Sequence, residues 1–64
     1  MNLWITNQVM SSATQLLDDW RADKLRSEDF EQFMAMAKEN GDWVQISAIA
    51  LAVACIYEEN GTQK

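Results

Sequence analysis

The chain has 64 residues, 48% of them hydrophobic, and its ten acidic against five basic side chains leave a net charge of −5. That length admits a single domain, residues 1–64, whose one core supplies roughly 3–5 kcal/mol unless a disulfide, a metal, close helix packing or a second subunit adds to it. With one cysteine and no histidine, an intrachain disulfide and a closed zinc site are both excluded, which leaves helix packing and association.

Breaks in the chain are few, because there is no proline and there are two glycines. A first helix is expected over about 3–23. Val9, Ala13, Leu16 and Trp20 recur at helical spacing, Met10 and Leu17 widen that stripe, and polar residues such as Thr6, Ser11 and Asp18 fill much of the remainder. A second helix is expected over about 28–39. Ser27 offers a hydroxyl cap, Glu28 and Asp29 put acids where the helix dipole favours them, and Phe30, Phe33, Met34 and Ala37 share one face, with Met36 off it. Glu39-Asn40-Gly41 then reads as a stop, since a glycine one step past a helix takes the left-handed conformation that closes its last turn. A third helix is expected over about 43–59, started by the capping-box pattern of Asp42 and Gln45 and stopped by Glu59-Asn60-Gly61.

The third helix differs in kind. Ile46, Ile49, Ala50, Val53, Ile56 and Tyr57 form one broad face, and Val44, Ala48, Leu51, Ala52 and Cys55 form most of the other. A helix apolar all round is a buried helix, so it should be the central element of an all-α fold. It is too short for a membrane span, and Gln45 and Ser47 interrupt it. Two flanking helices could cover both faces in a monomer. A chain this small gains more core by pairing, so a helical homodimer is expected, with Ala48, Leu51, Ala52 and Cys55 as its self-association face.

Nothing in the chain carries the pattern that chemistry requires. Cys55, set among Ala54 and Ile56, reads as a small apolar core residue. The pairs Asp18-Asp19 and Glu28-Asp29 read as solvated acidic faces, because neighbours on a helix point in different directions. Calcium-loop, phosphate-loop and dinucleotide patterns are absent. The expectation is therefore no enzyme, no cofactor and no metal. Dispersed negative charge is repelled by phosphate, so direct nucleic-acid binding is not expected, and Arg21, Lys24 and Arg26 read as the solvated end of a helix. With a single thiol and an opening without a basic leader, a cytoplasmic location is expected.

What remains is protein binding. Trp4 and Ile5 open the first helix where a small core does not reach, as does Met1, and Met36 lies off its stripe. Tryptophan and methionine are enriched where proteins dock. The expected function is that of a small acidic module of the phage or mobile-element accessory type, which inhibits a larger protein by steric occlusion. Trp4, Ile5, Asp18, Asp19 and Met36 are its partner-binding candidates, facing a basic protein that could itself bind nucleic acid. The alternatives are a helical-hairpin regulatory dimer of the RNA-pairing type and a structural subunit of a larger complex.

Overall fold

Three periodic stretches separated by two short connectors fold, in the computed structural model, into three α-helices, with no strand among the described residues, 3–61. They are α1 (Leu3–Arg21), α2 (Ser27–Asn40) and α3 (Trp43–Gly61). The central place expected for α3 holds: it packs against both α1 and α2, whose own backbones stay apart. No helix among the described residues is long and apolar enough to cross a membrane.

Each boundary has an identifiable cause. α1 stops at Arg21, two residues short of the expected end, although no glycine is there. Asp23 itself takes the left-handed conformation, with φ at 66°. The Lys24 N–H donates to the Asp19 carbonyl at 2.9 Å and the Asp23 N–H to the Trp20 carbonyl at 3.0 Å, so the closing bonds of a glycine-type cap form around an aspartate. α2 begins one residue earlier than expected. Arg26 holds the cap position in extended backbone, and the Asp29 carboxylate accepts its N–H at 2.9 Å. This reach-back bond replaces the expected Ser27 hydroxyl cap, because Ser27 is already helical.

Gly41 ends α2 as read, with φ at 67° and the Asp42 N–H on the Ala37 carbonyl at 2.9 Å. Asp42 then caps α3, its Oδ1 accepting the Gln45 N–H at 3.1 Å. At the far end α3 reaches Gly61, two residues past the expected Glu59.

Short connectors fold each helix back on the one before it. α1 and α3 therefore run in the same direction, with α2 antiparallel to both. Two contacts mark this arrangement. Arg21 at the end of α1 forms an ion pair with Glu59 at the end of α3. The Trp20 ring meets Phe30 at the start of α2, with centroids 5.7 Å apart and planes tilted by 50°. Between the helices lie Ala13, Leu16, Phe30, Ala37, Ala48, Ile49, Ala52 and Ile56, and no polar side chain among the described residues is buried with them.

The two left-handed residues generate opposite predictions. Gly41→Ala brings its added Cβ within 4 Å of nothing, so it costs backbone strain alone, about 1 kcal/mol. Asp23→Gly relieves the same kind of strain and should stabilise by about 0.5 kcal/mol after the extra freedom of the unfolded chain is subtracted. Urea unfolding should show midpoints displaced in opposite directions at unchanged slope.

Candidate functional site

Both faces that the sequence separates on α3 are used inside the chain. Ile46, Ile49, Val53 and Ile56 belong to the core, where Ile49 and Val53 line a groove with Met34 and Lys38 of α2. On the other side Cys55 and Glu59 share a groove with Leu17 and Arg21 of α1, and Ala52 and Ala48 continue that line at helical spacing. Ala48 and Ala52 are each 0% exposed, while Leu51 and Cys55 are half-buried. The expected self-association face is therefore an internal surface and not a free one. Small side chains let two helix axes come close, and here the close neighbour is a helix of the same chain, so a second copy cannot reach the two alanines in the closed bundle.

Two neighbours do not surround a helix. At 3.6 residues per turn, Trp43, Ser47, Ala50, Ala54 and Tyr57 fall on one line along α3, and all five are exposed. Trp43 is 76% and Tyr57 73% exposed, at the two ends of a floor of small residues. The sequence reading put Ala50 and Tyr57 on the broad buried face. The fold rotates both outward, and Trp43 at the first turn of α3 joins them. One signal for this strip was present: Ser47 is the only hydroxyl between Gln45 and Tyr57.

The parallel course of α1 and α3 polarises the molecule. It brings two helix C-termini, the negative ends of their dipoles, to one end of the bundle. Asp18 and Asp19 close α1, Asp23 lies in the connector, and Glu58 and Glu59 close α3 at that end. Glu28 and Asp29 add to them from the start of α2, and the described cations there are Arg21, Lys24 and Arg26. The guanidinium of Arg21 is pushed above its ordinary pKa by the hydrogen bond and then the charge of Glu59, so it remains charged under all working conditions. At the opposite end stand Trp4, Ile5, Met36 and Trp43, each exposed.

The partner-binding candidates divide between these two poles. Trp4 is 63% and Met36 60% exposed, and Ile5 is exposed as well. Asp18 is exposed, whereas Asp19 is half-buried and accepts a bond from Gln15 Nε2 at 3.4 Å. Trp4 and Asp18 are separated by roughly 21 Å of helix. The fold thus brings Trp4, Ile5 and Met36 to the Trp43 end and leaves Asp18 and Asp19 at the other. Met1 lies outside the described residues.

Among the described residues, three hollows indent the surface: a cleft of about 260 Å³ lined by Trp20, Phe30, Val53, Ile56 and Tyr57, and the two more open grooves beside α3, of about 430 Å³ against α2 and about 360 Å³ against α1. No group of three metal-ligating side chains gathers among the described residues. Read along the chain, Cys55 has no cationic neighbour; the fold places Arg21 in its groove, where that guanidinium is engaged by Glu59.

No protein-family model, curated protein or solved structure matches this chain.

Neighbouring alanines on α3 should respond in opposite ways to the same change. Ala52→Leu overpacks the contact between helices and is expected to cost about 1–3 kcal/mol. Ala54→Leu, on the exposed strip, should fall within about 0.5 kcal/mol of the parent. Thermal unfolding of both variants measures the contrast.

Proposed function

We propose that this chain is a small acidic protein-binding module that occupies a surface of a larger protein and blocks it sterically. The observation that supports this most is the outer strip of α3. Two large aromatics about three-quarters exposed, facing outward from a floor of serine and alanine, have the composition of an interface centre. Contiguous apolar surface of this kind on a small chain marks a place where another molecule docks. Small floor residues permit close approach of a partner helix, and Trp43 and Tyr57 supply the contact area at its ends.

The other candidates fit around that strip. Trp4, Ile5 and Met36 extend the apolar surface at the Trp43 end. Asp18 and the acids beside it act at longer range, raising the encounter rate with a basic partner more than the strength of the complex. Inhibition then needs no chemistry from this chain, because filling the groove is sufficient. The cytoplasm as its place, and the accessory proteins of phages and mobile elements as its kind, belong to the same proposal.

A photo-crosslinking amino acid installed at Ala54, in cells that make the protein, tests this reading. The expected result is a discrete adduct with one larger protein, lost when Trp43→Ala and Tyr57→Ala are combined. Each of those changes should weaken the complex roughly 10- to 30-fold, as truncation of an interface aromatic does, while far-UV circular dichroism stays unchanged. Adducts from Ala54 no more frequent than from the exposed Gln8 of α1 would remove the strip as the docking surface.

A further inference from the structure

Resting on that reading of the strip, we infer that its occupant is an amphipathic helix of another protein, aliphatic where it meets Trp43 and carrying lysine or arginine where it meets Tyr57. Shape sets the first half of this. From Trp43 to Tyr57 the strip runs straight for roughly 21 Å, about four helical turns. Its floor of Ser47, Ala50 and Ala54 is flat and offers no deep pocket, which suits the side of a helix with anchors at helical spacing.

Charge sets the second half. The strip begins beside exposed apolar residues, with Lys38, Glu39 and Asp42 nearby, and ends where most of the acids gather. α3 has no basic residue in its last turn, where the dipole would favour one. Glu59 is engaged by Arg21. Glu58, next to Tyr57, is exposed and has no ion pair among the described residues. A cation on the occupant at this point would answer both Glu58 and the helix terminus.

The same charges argue against a second copy of this chain. Trp43 and Tyr57 lie symmetrically about Ala50, so a two-fold axis through Ala50 would align two strips antiparallel with each tryptophan against the other copy's tyrosine. That alignment also sets Asp42 of each copy toward Glu58 of the other. Acid against acid disfavours the pair, whereas a basic helix makes the same contact favourable.

Two synthetic peptides of about 16 residues, long enough to span the strip, test the inference. They share a leucine and alanine stripe and differ at one end, where one carries two lysines and the other two glutamates. Each is titrated into the full chain, isotope-labelled for NMR, at low salt. The lysine peptide is expected to shift the amides of Ser47, Ala50, Ala54 and Tyr57 and to bind about tenfold more tightly than the glutamate peptide. That ratio should fall towards one at about 0.5 M salt, where screening is nearly complete, and Glu58→Lys should reduce it at low salt.

Equal affinities at low salt, or shifts confined to α1, would overturn the inference. So would self-association through the strip that strengthens as salt is raised, which would assign the face to a second copy. If the peptides show no charge preference while crosslinking from Ala54 still yields a specific heterologous adduct, the docking role stands and the basic-helix occupant fails.

Discussion

The structure depends on the covering of α3. In a chain of 64 residues, a helix that is apolar around most of its circumference must find cover from two neighbours. Large side chains on one flank, Ile49 and Ile56, and small ones on the other, Ala48 and Ala52, are all buried. Alanines permit close approach and the isoleucines fill the space on the other flank, so two helices suffice to hide both faces. This arrangement also leaves a third strip bare. The surface proposed to bind a partner is thus a geometric consequence of the packing that holds the fold.

Direction follows from the connectors, and charge follows from direction. Tight turns at Asp23 and Gly41, both left-handed, send α2 back along α1 and α3 back along α2. Two helix C-termini then share one end, and the sequence places more acids there than three nearby cations balance. Arg21 offsets part of this through Glu59. Because both partners are half exposed or more, screening leaves that pair little weight in stability. The buried alanines and isoleucines hold the bundle together, and the ends of the helices determine how it looks to an approaching molecule.

An exposed apolar strip with the acids gathered mostly at one of its ends describes a surface with a direction along it. None of these features requires a pocket, a metal or a reactive side chain. The proposed binding role would separate tasks in space, with the aromatics of the strip supplying contact area and the acidic end acting at longer range. Trp4 and Ile5, near the start of α1, lie at the same end of the bundle as Trp43.

The sequence by itself determined the three helices and the boundary between α2 and α3. Helical spacing of Val9, Ala13, Leu16 and Trp20, the cap at Asp42 and the stop at Gly41 are local features, written within a few residues of where they act. Centrality of α3 was equally legible, since a helix apolar around most of its circumference needs more than one neighbour, but its burial all round was not, because one strip faces outward. Tertiary structure alone decided which apolar residues stay outside. Ala48 and Ala54 are the same residue type on the same helix, one fully buried and one exposed, and no local pattern separates them. That choice depends on where two other helices cross α3. The same crossing buried Ala48 and Ala52 of the face that looked suited to a second copy, and it gathered acids that the sequence spreads from Asp18 to Glu59.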